Sequence, residues 1–250
     1  MSEPIRIAMW SGPRNISTAM MRAFGARDDT AVIDEPFYGA YLALSGIDHP
    51  MRGEVLAAME TDPAHVAASL IGPAPGGAAL WYQKHMTHHM LLAAPRAWMG
   101  ACRHAFLIRA PERVLASYAA RRAAVDFTDI GFAQQEDLFD EVSQRLGQAA
   151  PVIDADDILA DPRGALDVLC RALEIRFDEA MLAWPPGRRN TDGVWAPVWY
   201  EAVERSTGFA PPAAPPARLE PRLKTIADRA RPIYQRLARH RLEPAPRLPG

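Results

Sequence analysis

The sequence predicts a three-layer α/β fold, a central parallel sheet flanked on both faces by helices, with a helical flank at the C-terminal end. Three observations predict it. Short apolar runs alternate with longer amphipathic stretches from residue 5 to about 175. Each apolar run is strand-length and stops at a turn or a charged residue. A chain of 250 residues, 49% of them apolar, is long enough to bury a full core. One domain over 1–250 is expected, with its core at about 5–175 and a helical, Pro-rich part over 176–250.

The elements follow in order. Residues 5–10 (Ile-Arg-Ile-Ala-Met-Trp) read as the first strand, Ser11-Gly12-Pro13 as a turn, and Asn15 to about Arg27 as a helix. Residues 30–34 form the second strand, closing in Asp34-Glu35-Pro36; Ala79–Gln83 the third, ending at Lys84; His104–Ile108 the fourth, ending at Arg109. Pro111 then opens a helix where proline is favoured. Residues 151–153 give a fifth strand, after which Asp154–Asp157 cap the next helix. Helices are expected at 37–46, 52–71, 86–99, 111–124, 131–149 and 162–173. Leu219, Leu223, Ile226, Ala230, Ile233 and Leu237 share one face of a C-terminal helix. Of the 23 prolines, 11 gather at 73–75, 185–186, 211–216 and 244–249, which read as loops and a tail.

Composition narrows the function classes. A formal charge of −2 gives no global argument for nucleic acid or an anionic membrane as partner. Cys102 and Cys170 cannot build a disulfide framework or a zinc-finger pair, which fits a reducing, cytoplasmic setting. No apolar run reaches 18 residues and no basic-then-apolar leader is visible, so no membrane span is expected. Only Lys84 and Lys224 among the 28 basic residues are lysine, so a lysine is the more informative cation here.

Ligands of parallel sheets sit outside the carboxyl ends of the strands. That directs attention to Ser11–Thr18, Asp34–Tyr38, Lys84–His89 and Arg109–Ser117. In Gly12-Pro-Arg-Asn-Ile-Ser17-Thr18, backbone N–H groups, two hydroxyls, Arg14 and a helix N-terminus converge, a combination suited to a phosphate. The plainer alternative is a helix capped by Ser or Asn. Ser17 and Thr18 stand where a Walker A loop has its second Gly and its Lys, so an ATP or GTP phosphate grip is not expected. Arg109 ends a strand and Ser117 lies two turns into the next helix, within reach of one ligand. Arg121-Arg122 reads as a solvated helix end or cofactor rim.

These two motifs make the chain resemble the sulfotransferase family, bacterial members among them, with its P-loop-like topology. Members grip the 3′-phosphate of 3′-phosphoadenosine 5′-phosphosulfate (PAPS) with an Arg at a strand end and a Ser eight residues on. Arg109 and Ser117 match that spacing, and Tyr118 follows as it often does. Pro13-Arg14-Asn15-Ile16-Ser17-Thr18 lies over the family's 5′-phosphosulfate loop. The resemblance implies metal-free, in-line transfer of a sulfuryl group from PAPS to a hydroxyl or amine of a small-molecule acceptor. It places Arg14, Asn15, Ser17, Thr18, Arg109 and Ser117 on the cofactor, and Arg14 and Lys84 around the transferred group.

The family's Lys-x-His segment becomes Lys84-His85-Met86, so a histidine base would have to be His85 or His88. Glu35 is the rival, because some bacterial and Golgi members place a Glu after the second strand, and Phe37 and Tyr38 would raise its pKa. Glu35 and His85 rank equally, His88 third; the plainer reading of Glu35 is a helix cap. Gly187-Arg188-Arg189 corresponds to the family's late basic loop over the cofactor. Two departures carry expectations of their own. Ile16 replaces a Gly, and its β-branched side chain resists positive φ. Arg14 replaces a Lys and does not readily donate a proton.

His85 and His89 on one helix face would suggest zinc, but a third ligand is missing and no metal is expected. Trp195, Trp199 and Tyr200 read as core or as the lining of an acceptor pocket. Two other classes stay open: a P-loop-like phosphotransferase or nucleotide hydrolase, and a non-catalytic nucleotide-binding protein that kept the fold.

Overall fold

A computed structural model describes residues 3–120, 124–211 and 219–244. Arg121-Arg122 and most of the proline clusters at 211–216 and 244–249 lie outside those residues. Five strands, β1 (Ile5–Ser11), β2 (Thr30–Asp34), β3 (Leu80–Met86), β4 (Arg103–Ile108) and β5 (Val152–Asp154), form one parallel sheet in the order β2-β3-β1-β4-β5. The chain builds β2 and β3 on one side of β1, then crosses to β4 on the other. The loops after β1 and β4 therefore flank the crevice where such sheets bind ligands.

The helices are α1 (Ser17–Phe24), α2 (Tyr38–Ser45), α3 (Arg52–Ala58), α4 (Pro63–Leu70), α5 (Pro111–Ala119), α6 (Phe132–Leu146), α7 (Ala155–Ala160), α8 (Pro162–Ala172), α9 (Ala196–Trp199), α10 (Glu201–Glu204) and α11 (Pro221–Ala238). Strand alternation sorts the core into two layers. Ile7 and Met9 of β1 pack with Met20 and Phe24 of α1 and Leu166 and Leu169 of α8. Ala8 and Trp10 pack on the opposite face with Leu70 of α4, Phe139 of α6 and Leu237 of α11. A third cluster joins α5 to α11 through Val114, Leu115, Ala227 and Ala230. A fourth joins α2 and α3 to the segment around α9 through Tyr38, Leu42, Val55, Trp195 and Tyr200.

Three expectations change. The 52–71 stretch is two helices, because Asp62 caps a new start at Pro63. The helix expected at 86–99 is absent: β3 runs on through Lys84-His85-Met86, followed by 3₁₀ turns at Thr87–His89 and Ala97–Ala101. Parallel pairing of β3 with both neighbours explains the longer strand, since β1 pairs out to Ser11–Met86 and β2 out to Asp34–Lys84. Hence His85 and His89 share no helix face. Finally, α1 is not capped by a Ser or Asn side chain; its N-cap is Ile16, with no side-chain cap bond.

His85 and His104 are buried in the aromatic layer around Trp10 and Trp98. The indole Nε1 of Trp10 donates to His104 Nδ1 at 3.0 Å, and His104 Nε2 lies 2.9 Å from the Met99 carbonyl. That arrangement needs a neutral ring protonated on Nε2. Burial, with a further push from His104, depresses His85 to about 3, and burial depresses His104 to about 4. Below about pH 6.5 the unfolded chain therefore binds protons that the folded chain refuses. Stability is complete above that pH and falls toward pH 4, by about 1.4 kcal/mol per pH unit for each ring. Melting temperature is expected to drop steeply from pH 6.5 to 4.5; a flat profile contradicts the neutral assignment.

One buried ion pair fastens α1 to the loop before α9. Arg22 donates through both Nη atoms to Asp192 at 2.6 and 2.7 Å, with the two side chains 3% and 0% exposed. Removing one partner strands the other charge, whereas replacing both by apolar residues does not. Asp192→Ala is expected to cost about 3–5 kcal/mol in denaturant unfolding. The Arg22→Met/Asp192→Leu double variant should recover most of that loss.

Candidate active site

A cavity of about 370 Å³ opens at the carboxyl ends of β1, β3 and β4. Arg14, Asn15, Ser17 and Thr18 from the first loop, Arg109 from the end of β4 and Ser117 from α5 all line it. Lys84, Glu35 and His88 line it too; His85 does not.

The loop after β1 is strained. Arg14 and Ile16 have φ of 61° and 57°, so Ile16 adopts the left-handed backbone that its side chain was expected to resist. Such a residue costs about 1–2 kcal/mol. The partly buried Ile16 side chain packs into the core layer under α1. The result is a helix start without a side-chain cap, and Ser17, Thr18 and Ala19 of its first turn line the cavity. Asn15 anchors the loop by donating from Nδ2 to the Leu107 carbonyl at 3.1 Å. Arg109 Nη1 donates to the Arg14 carbonyl at 2.8 Å, and Arg14 Nε donates to Ser117 Oγ at 2.9 Å. Thus the two separate sequence motifs meet in one cluster. Burial holds the Arg109 guanidinium below its usual range, and its Nε has no hydrogen-bond partner. A half-buried cation with an unused donor suits an anion.

On the opposite side of Lys84, register puts acidic groups next to the lysine. Asp34 pairs with Lys84 across β2 and β3, and the Glu35 N–H donates to the Lys84 carbonyl. Glu35 has φ of 47° and does not cap α2, whose N-cap is Phe37. Instead, Lys84 Nζ donates to Asp34 Oδ1 at 2.8 Å, Glu35 Oε1 at 2.7 Å and the Tyr200 hydroxyl at 2.7 Å. Burial opposes the lysine charge, but Asp34 and Glu35 outweigh it and hold Lys84 well above its ordinary range. Burial also raises Glu35, assisted by Asp34 and resisted by Lys84.

Strand alternation explains the fate of the histidines. Lys84 points to the α1 face and His85 to the other, where its ring lies 4.7 Å from Trp10 and 5.0 Å from Trp98. His85 is therefore a core residue out of reach of the cavity, which corrects its candidacy as base. His88 and His89, just beyond the strand, do face the cavity. The His89 ring is sandwiched between Tyr38 at 4.6 Å and Tyr41 at 4.8 Å, with Nδ1 4.0 Å from Glu35 Oε2. Burial pushes His88 down to about 3 and His89 well below its usual value, so both rings are neutral.

Several lining residues escaped the sequence reading. Tyr38 bonds its hydroxyl to His49 Nδ1, and His49 stacks on Trp199. No local pattern marks His49 or ties it to Trp199. Trp195, Trp199 and Tyr200 all line the cavity, and Trp195 and Tyr200 are at the same time buried members of the fourth core cluster. Arg188 and Arg189 do not; their loop delivers Asp192 to Arg22 and the Gly193 N–H to Asp34 Oδ2 at 3.2 Å. Among the described residues no group of three His, Cys, Asp or Glu is arranged to hold a metal, and no helix is long and apolar enough to cross a membrane.

Comparison with known proteins agrees with this fold. Two Arabidopsis thaliana proteins, branched-chain-amino-acid aminotransferase-like proteins 1 and 2, are 37% and 36% identical to this chain over 240 and 234 residues. These alignments cover 96% and 94% of this chain but 43% and 41% of the plant proteins, so it spans less than half their length. Among solved structures, a sulfotransferase domain from the curacin biosynthetic pathway shares the fold at a TM-score of 0.55 and 15% identity, over 90% of this chain and 97% of that one. A sulfotransferase from Alicyclobacillus acidocaldarius does so at 0.51 and 12%, over 97% and 98%. The sulfotransferase-domain family model matches residues 5–240, nearly the whole chain, and the protein accordingly belongs to the sulfotransferase family.

Proposed function

We propose that this protein transfers a sulfuryl group from PAPS to a hydroxyl or amine of a small-molecule acceptor. The observation that carries this reading is the meeting of an uncapped, strained helix start with Arg14, Arg109 and Ser117 at one end of a cavity whose other end holds Glu35. The residues present fit the cofactor. Arg109 keeps an unpartnered buried Nε, and Ser117 accepts from Arg14 while retaining its own proton to donate. Arg109 and Ser117 would hold the 3′-phosphate. Arg14, Asn15, Ser17, Thr18 and the first N–H groups of α1 would hold the phosphosulfate.

When bound, PAPS would supply a sulfuryl group for transfer to the acceptor oxygen or nitrogen, the 5′-phosphate leaving with the electron pair of the broken S–O bond, and Glu35 would take the acceptor proton. Arg14 balances charge on the transferred oxygens. Glu35 is the base this geometry favours, since it is a carboxylate at the cavity while His85 is buried elsewhere. The plant relatives' name suggests amino transfer instead, which calls for a lysine free to form a Schiff base. Lys84 has all three protons bonded within the protein, and Lys224 is an exposed partner of Asp228.

Calorimetric titration is expected to show binding of 3′,5′-adenosine bisphosphate without metal, and much weaker binding of AMP and Mg-ATP. Arg109→Ala should abolish the bisphosphate signal. A preference for Mg-ATP that Arg109→Ala leaves intact would establish the phosphotransferase reading instead. Glu35→Gln is expected to bind the bisphosphate normally while lowering turnover about 10²–10⁴-fold. Because burial raises the Glu35 pKa and only the carboxylate accepts a proton, activity should fall as pH drops, starting above the ordinary glutamate range. A rate that does not change from pH 8 to 5 argues against Glu35.

A further inference from the structure

The family resemblance puts the strand-end lysine on the transferred group, but the hydrogen bonds of Lys84 give it other work. An ammonium has three protons, and those of Lys84 go to Asp34, Glu35 and Tyr200 at 2.7–2.8 Å on a side chain 1% exposed. Tyr200 is equally committed. Its hydroxyl accepts from Lys84 and from Trp195 Nε1 at 3.1 Å, and donates to Asp34 Oδ2 at 2.7 Å. Asp34 Oδ2 also accepts from the Gly193 N–H. A Cβ at Gly193 would lie 2.2 Å from the Trp195 ring, so only glycine lets that backbone approach. Touching a sulfuryl oxygen would require Lys84 to abandon a charged or hydrogen-bonded partner inside a buried network.

We propose that Asp34, Lys84 and Tyr200 are positioning residues, which together fix the orientation and charge of the Glu35 carboxylate at the acceptor, and that Lys84 does not contact the transferred group. The proposal rests on the sulfuryl-transfer reading above. Its physical basis is the crowding of two adjacent buried carboxylates. Two carboxyl groups this close disfavour each other's charge, and a cation bonded to both offsets that crowding. Lys84 does so only while it stays between them. Tyr200 holds it there by taking its third proton and sharing the charge of Asp34. The other titratable group at Glu35 is His89, which is neutral and 4.0 Å from Oε2. Tyr38, stacked on that ring, holds it in place.

The two-lysine composition makes a direct test possible. Protein labelled with ¹⁵N-lysine should give one exchange-protected ammonium signal, from Lys84, beside the exposed Lys224. Its shift across pH 4 to 9 follows the ionisation of Glu35. In parallel, metal-free hydrolysis of PAPS, with water as acceptor, gives a rate at each pH. Tyr200→Phe keeps the ring and removes the hydroxyl. It is expected to move the lysine titration midpoint and the acidic limb of the rate profile together to higher pH. The same variant should lower kcat about tenfold or more and leave bisphosphate affinity within about twofold. Trp195→Phe, which removes the donor to that hydroxyl together with the indole's second ring, should shift both in the same direction by less, and serves if Tyr200→Phe does not fold. A midpoint and rate profile unmoved in a folded variant overturn the positioning role while leaving the transfer reading intact. Failure of the unaltered protein to bind the bisphosphate removes the transfer reading, and the catalytic sense of the network with it, whatever the lysine signal does.

Discussion

A buried ammonium must be surrounded by acceptors, and this requirement at Lys84 organises the end of the sheet. The lysine belongs to β3, the strand between β2 and β1, where water cannot compensate its charge. Parallel register brings Asp34 against it, and the next residue turns back sharply enough to bring Glu35 as well. The third acceptor, Tyr200, comes from 116 residues further along. One charge therefore couples two strands to the segment at 193–200, and the loss of any partner would be felt by all three. The buried Arg22–Asp192 pair repeats the logic on α1 and holds the same distant segment from its other end.

The site also concentrates backbone strain. Of five non-glycine residues with positive φ among those described, three, Arg14, Ile16 and Glu35, line the cavity. Each such position costs on the order of 1–3 kcal/mol and persists only where its surroundings over-determine it. The restraints are visible: Arg109 and Asn15 hold the first loop, and Lys84 holds Glu35 through both its carbonyl and its ammonium. In return, donors at one strand end and a carboxylate at another face the same space.

Much of the fold is legible because short strands ending in turns leave a local signature. β1, β2, β4 and β5 lie within a residue or two of where apolar runs place them. The miss at β3 is instructive. Lys84-His85-Met86 looks like the end of a strand, because charged residues commonly end one, and the apolar stretch that follows looks helical. Pairing with neighbours on both sides overrides that local reading. The same error left His85 among the residues expected at the site: once β3 extends to Met86, period-two alternation alone sends Lys84 and His85 to opposite faces. Arg14, Arg109 and Ser117 were legible because motif spacing survives in one dimension. The bonds that tie Tyr200 to Lys84 and His49 to Tyr38 were not, since nothing near Tyr200 or His49 records that it closes a network begun more than 100 residues earlier or bonds a tyrosine on α2.

Charge divides the cavity, and the division gives it a direction. Arg14 and Arg109 gather positive charge beside the first turn of α1, where the helix dipole adds to it. The far end carries Asp34 and Glu35 around a single lysine, two carboxyl groups to one ammonium. His88 and His89, which could have added positive charge there, are held uncharged by burial. Such a division would orient a highly anionic ligand before any specific contact forms. Lys84 could have blurred that polarity too, but its ammonium is bonded to both carboxyl groups and to Tyr200. The coordination that buries the lysine charge thus leaves Glu35 as the carboxyl group that both holds the lysine and lines the cavity.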